Sequence, residues 1–162
     1  MATYSSTGNA SDVSVTEDRS ETFSLTGLRL SNSDSSSFKL ILETADGKLE
    51  ATTDGVVGIE GSGTKKLVLS GTDSALQQFI DHNKITYTGA LNDAGPNADA
   101  IDISLNNLDE NDPVPLTPLN VAIRAVNDAP DVSGPVTLAA SDEDTTVTIS
   151  QADLLANATD VD

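Results

Sequence analysis

The chain reads as an all-β, antiparallel sandwich with one short helix, followed by the opening strands of a second copy of the same unit. Three observations predict this. Short apolar runs alternate in two-residue period, turn-forming Ser, Thr, Asp, Asn and Gly fill the segments between them, and one block of sequence occurs twice. Glu17-Asp18-x-x-x-Thr22-Phe23-Ser24, then Leu28 and Asp34, returns as Glu143-Asp144-x-x-x-Thr148-Ile149-Ser150, then Leu154 and Asp160. Every pair is separated by the same offset (143 − 17 = 126), with no gap. A constant offset of that size marks one structural unit followed by the start of its copy, which is the pattern of a tandem array. The 162 residues suit one full domain plus a fragment. Residues 1–11 read as a leader or preceding linker, 12–128 as the module, and 129–162 as the linker and incomplete start of the next module.

The elements follow in order. A first strand occupies about 12–16. Phe38, Leu40 and Leu42 share one face of a second run, 37–45, and Asp46-Gly47 predicts a tight hairpin into 48–53, because such a two-residue turn needs positive φ at both central positions. Gly-rich 55–63 is a looser connection, and Leu67 and Leu69 begin another half-buried strand. From Thr72 to Asn83 the rhythm changes: Leu76, Phe79 and Ile80 fall at i, i+3, i+4, and Ser74-x-x-Gln77 resembles a capping box, so a short helix is predicted with those three side chains buried. Ile101, Ile103 and Leu105 form the next inward face, then Leu119, Val121 and Ile123, with Asp102, Ser104, Asn106, Asn120 and Arg124 turned to water. Prolines and Asn-Asp pairs make 109–118 a loop between the last two strands and 127–135 a linker.

Composition narrows the function. With 26 acidic and 8 basic residues the formal charge is −18, which repels nucleic acid and anionic lipid alike. Self-repulsion of that size weakens a compact fold unless cations neutralise it, and the acidic residues cluster beside turns rather than spreading evenly. Cysteine is absent, so disulfides and thiolate metal sites are excluded. No run approaches the ~20 apolar residues of a membrane span, and the first residues lack the charged and apolar regions of a secretion signal, as expected of a piece from inside a longer protein.

Strand direction sorts the acidic clusters by pole. The last strand of a module must end at the pole touching the next one, which places Asn127 and Asp128 there. The first strand runs the same way and brings Glu17 and Asp18 to the same joint, while Asp160 and Asp162 lie near the top of the following module. Glu17, Asp18, Asn127, Asp128, Asp160 and Asp162 thus converge on one cation site. Calcium suits it, being a hard ion that takes six to eight oxygens at about 2.3–2.6 Å. At the opposite pole Asp34 matches Asp160, but Ser36 stands where Asp162 stands, and Asp109, Glu110 and Asp112 compensate in a second candidate site.

Val126-Asn127-Asp128-Ala129-Pro130 and Ala158-Thr159-Asp160-Val161-Asp162 resemble the linker and Asp-x-Asp motifs of cadherin-like modules in giant bacterial repeat adhesins of the RTX type. The Leu69-Ser70-Gly71-Thr72 turn, the helix with Leu76, and Ile85-Thr86-Tyr87-Thr88 resemble the second half of the same repeats, so the similarity covers about 12–162. The resemblance implies an Ig-like or cadherin-like sandwich serving as a calcium-stiffened extender, or as a ligand-presenting module, on a secreted bacterial cell-surface fibre. It implies Glu17, Asp128, Asp160 and Asp162 as Ca2+ ligands with Asn127 adding an oxygen. The expected partners are neighbouring modules of the same chain and a surface ligand on a target cell; the chain is expected to be a monomer.

Rival functions are weaker. A Ser/His/Asp arrangement would have to use His82, the sole histidine, which already suits a helix C-terminus through the dipole. One histidine leaves zinc with carboxylates alone. A glycosidase or sugar-binding face usually grips rings with aromatic side chains, and the chain has no Trp, two Tyr and three Phe. Asn92-Asp93-Ala94-Gly95 repeats the Asn-Asp theme as a plain turn.

Overall fold

The computed structural model describes residues 4–33, 36–53, 55–82, 85–108 and 113–162. The chain divides into two compact units, one ending at Ala125 and the other running from Val126 to Asp162. The first unit contains β1 (Tyr4–Thr7), β2 (Val13–Thr16), β3 (Ser20–Phe23), β4 (Arg29–Asn32), β5 (Phe38–Thr44), β6 (Lys48–Ala51), β7 (Gly58–Glu60), β8 (Lys66–Gly71), α1 (Asp73–Asp81), β9 (Ile85–Thr88), β10 (Gly95–Asn107), β11 (Val114–Pro115) and β12 (Leu119–Arg124). The second contains β13 (Asp131–Val132), α2 (Gln151–Leu154) and β14 (Ala158–Thr159).

Among the described residues of the first unit, one sheet runs β2-β12-β10-β5-β8-β7 with β11 against β10, a second runs β3-β9-β6, and β1 pairs with β4. The pairs are antiparallel except β2 with β12, which are parallel, Val13 opposite Val121. The alternation read from sequence sets which side chains fill the space between the sheets. Phe38, Leu40, Leu42, Leu67, Leu69, Ile101, Leu105 and Val121 of the larger sheet are fully buried, with Leu49 and Tyr87 of the smaller one. This is the expected all-β sandwich. Asn106 departs from the pattern: it is buried rather than turned to water.

The expected helix forms, but with a different cap. Thr72 is the N-cap, its Oγ1 accepting from the Ala75 N–H at 3.3 Å, and His82 closes the C-terminus. Gln77, expected to complete a capping box with Ser74, reaches sideways instead: its amide nitrogen donates to the Leu28 carbonyl and its oxygen accepts from the Leu30 N–H, fastening α1 to β4. Leu76, Phe79 and Ile80 are buried as expected.

The Asp46-Gly47 hairpin does not form. Both edges of β5 are occupied, by β10 on one side and β8 on the other, so β6 has no edge of β5 to pair with. The chain crosses instead to the smaller sheet, where β6 pairs with β9. Neither Asp46 nor Gly47 has positive φ.

In the second unit β13 pairs antiparallel with β14, Val132 opposite Ala158. Ser150 caps α2 in a reciprocal box with Asp153, and the Ser150 hydroxyl and N–H hold the Asp153 carboxyl below the usual range. At the acidic turn the sequence repeat is also a repeat of backbone, whereas α2 falls where the first unit has the non-helical residues 25–28. Glu17-Asp18 and Glu143-Asp144 both form turns, and Asp18 and Asp144 adopt φ of 58° and 59°, a left-handed conformation that aspartate tolerates better than most side chains. By the same offset β13 corresponds to β1 and β14 to the end of β4.

Candidate metal-binding acidic residues

In the first unit, the parallel pairing of β2 and β12 carries both strands to one end, as expected from the direction of the chain. The Glu17 N–H donates to the Arg124 carbonyl at 3.0 Å, extending that ladder by one step beyond β2. Glu17 therefore sits beside the final residues of the unit. Asp18 follows in the left-handed turn, exposed, next to a shallow surface hollow shared with Asp46, Lys48 and Thr88.

The second unit gathers four of the expected ligands. The Asp128 N–H donates to Asp162 Oδ2 at 2.6 Å, and the two residues bring carboxylate oxygens within 4.8 Å of each other. The Asp162 N–H is directed at Asp160 Oδ1 at 3.4 Å. The Asn127 amide nitrogen donates to the Asp128 carbonyl at 2.6 Å, which assigns its oxygen as the ligand-type atom. Two carboxylates about 4 Å apart repel by about 1 kcal/mol in bulk water and about 4 kcal/mol at the effective dielectric of a protein surface. A divalent ion accepting oxygens from both would reverse that term. The oxygen-only donor set fits a hard ion such as Ca2+, whereas zinc prefers nitrogen and sulfur. Asp34, Asp109, Glu110 and Asp112, the second candidate group, lie outside the described residues.

His82 and Asp81 are committed elsewhere. His82 Nδ1 lies 2.6 Å from the Gln78 carbonyl, and the Asp81 carboxylate accepts from Arg29 at 3.0 Å and from Gln77 at 3.0 Å. Asp81 thus does not orient His82 as a triad would require.

A carboxylate that sequence reasoning passed over is Asp99. It is buried, and its oxygens accept from the Thr44 hydroxyl, the Tyr87 hydroxyl at 2.7 Å, and the N–H groups of Gly47 at 2.9 Å, Ala45 at 3.2 Å and Ala100 at 2.7 Å. Burial alone would raise its pKa, but the bonds from Thr44, Tyr87, Gly47 and Ala100 outweigh burial and hold it at about 2. Burial, then the bond to this carboxylate, pushes the Tyr87 phenol upward. Asp99 is therefore a structural anion that ties the β5–β6 crossing to β10 and β9. The signal was present in the pattern: Asp99 is in phase with Ile101, Ile103 and Leu105, so a strand extended backward puts it on the inward face.

Compared with known families, residues 126–162 match the model of a cadherin-like domain. That segment holds Asn127, Asp128, Asp160 and Asp162. Searches of curated proteins and of solved structures return no match. Domains of the matched description are generally non-catalytic adhesion modules, typically extracellular and calcium-binding. The match thus supports a structural module of the adhesion type, and the all-β architecture agrees with it. Among the described residues no helix is long and apolar enough to cross a membrane.

Proposed function

We propose that the chain is a non-catalytic extender module, residues 12–128, with the linker and start of the next module, 129–162, from a secreted bacterial cell-surface adhesin of the RTX type. Calcium held by Glu17, Asp18, Asn127, Asp128, Asp160 and Asp162 would set the angle and stiffness between neighbouring modules. The observation that carries this reading is the pairing of Asp128 with Asp162, Asp160 alongside, inside the segment that matches the cadherin-like model. The end-to-end alignment of β2 and β12, which puts Glu17 beside the last residues of its own unit, also supports it.

The mechanism is linkage: an ion bound only by the ordered arrangement stabilises it by RT ln(1 + [L]/Kd). For extracellular affinities of about 10⁻⁴ to 10⁻³ M and about 2 mM calcium this amounts to roughly 0.6–2 kcal/mol. Differential scanning calorimetry with calcium and with excess chelator tests it. The expected result is a melting temperature lower by about 2–7 °C in chelator, with sodium failing to restore it. Identical thermograms would refute the proposal.

A further inference from the structure

The second unit leaves an apolar face uncovered. Leu138, Val147, Ile149 and Leu154 are all exposed, and Val136, Leu138, Val147, Ile149 and Ala156 line a hollow of about 280 Å³. The internal repeat says what belongs there. By the offset of 126, Ile149, Leu154 and Ala156 correspond to Phe23, Leu28 and Leu30, which are buried in the first unit at 8%, 3% and 8% exposure.

Two elements cover those residues in the first unit. β9 pairs antiparallel with β3, placing Ile85 opposite Phe23 and Tyr87 opposite Glu21. α1 packs on β4, with Gln77 bonded to the Leu28 carbonyl and the Leu30 N–H. Among the described residues, 146–149 belong to no strand. The correspondence holds in the backbone at two places, although residues 151–154 are helical where 25–28 of the first unit are not. The turns at Asp18 and Asp144 share their φ, and the β13–β14 pair repeats β1–β4 with a slip of two residues, an even number that keeps every side chain on its face. Val147 stands where the first unit has Glu21, so this segment presents apolar side chains at both i and i+2.

We infer that the face formed by Leu138, Val147, Ile149 and Leu154 is a docking surface for a segment of α1–β9 type from a further copy of this repeat. That segment is an amphipathic helix whose glutamine bonds the backbone of 154–156. An extended strand with apolar residues at alternate positions follows it and pairs antiparallel with 146–149. This surface contains none of the acidic residues assigned to calcium, so its failure and the failure of the calcium reading are separate results.

The probe is a synthetic peptide of residues 71–90, which carries both elements, added to the isotope-labelled full chain with and without calcium while backbone amides are followed by NMR. The expected result is saturable shifts confined to 136–156, slowed exchange of amides within 146–149, and affinity weakened by about tenfold or more in Ile149→Asp and Val147→Lys. Unchanged resonances of β13, α2 and β14 in both variants establish that the second unit still folds. The inference is overturned by absence of saturable shifts, by binding insensitive to both substitutions, or by shifts in the first unit alone. Protection of 146–149 that rises with protein concentration in the absence of peptide would assign the face to self-pairing and also overturn it.

Discussion

Replacing Asp99 by asparagine removes one charge from inside the sandwich with almost no change in size. In the native protein one carboxylate oxygen accepts from Ala45 and Ala100 N–H groups and the other from the Thr44 and Tyr87 hydroxyls and the Gly47 N–H. Whichever oxygen becomes an NH2 group, two backbone N–H groups then face a donor, those of Ala45 and Ala100 or those of Asp46 and Gly47, whereas the two hydroxyls can turn to accept. A hydrogen bond to a charged acceptor contributes about 1.5–3 kcal/mol, and a buried donor left unsatisfied costs a similar amount, so Asp99→Asn is expected to cost about 3–5 kcal/mol. Against a typical domain stability of about 5–15 kcal/mol this is a large share. Urea unfolding followed by circular dichroism at pH 7 reads it directly as a lower midpoint with unchanged slope. A loss below about 1 kcal/mol would refute the assignment of Asp99 as the anion that holds the crossing.

The same group makes a pH prediction. Its folded pKa lies below its unfolded one, so its contribution is fully present above about pH 4 and is lost as pH falls toward about 2. The drop from 3.8 to about 2 corresponds to about 2 kcal/mol, which Asp99→Asn should delete from the acid limb of the stability profile.

Further predictions concern the residues around it. Tyr87→Phe removes one bond to the carboxylate and should cost about 1.5–3 kcal/mol in the same unfolding assay; because burial raises the phenol pKa in the folded state, the native protein should lose stability as pH rises above the ordinary tyrosine value, and the phenylalanine variant should lose less. Gly47→Ala should be destabilising by about 1–3 kcal/mol, since a Cβ there would lie 2.3–2.4 Å from the Tyr87 ring and hydroxyl. Leu76→Ala, at a fully buried helix position, should cost about 2–5 kcal/mol by chemical denaturation, and Thr72→Ala about 1 kcal/mol through loss of the cap.

Much of the fold is legible in the alternation of apolar residues, because a two-residue period fixes the inward face of a strand whatever its partner. The runs at 38–42, 101–105 and 119–123 needed only local information. The helix was legible for the same reason, from Leu76, Phe79 and Ile80. What sequence could not supply is which strand edges are free. Asp46-Gly47 has turn chemistry, but whether it makes a hairpin depends on β8 and β10 claiming both edges of β5, a non-local fact. Gln77 illustrates the same limit, its capping role lost to a backbone more than forty residues earlier.

The acidic motif was legible in part. Asp128, Asp160 and Asp162 were singled out by strand direction and by the resemblance of their segments, and the second unit gathers them through backbone-to-carboxylate bonds. Asp99 was missed because an acidic residue at a strand start reads as a turn, although its phase with Ile101 marked it as inward. The repeat had a structural meaning beyond similarity: Asp18 and Asp144 bend the chain by the same positive φ.

Isothermal titration of calcium into the metal-free protein, beside the Asp128→Asn, Asp162→Asn double variant, tests the central claim most directly. The account predicts saturable heat with a dissociation constant of about 10⁻⁴ to 10⁻³ M for the native chain and at least about tenfold weaker binding for the variant. Absence of saturable heat, or equal binding by both proteins, would contradict it.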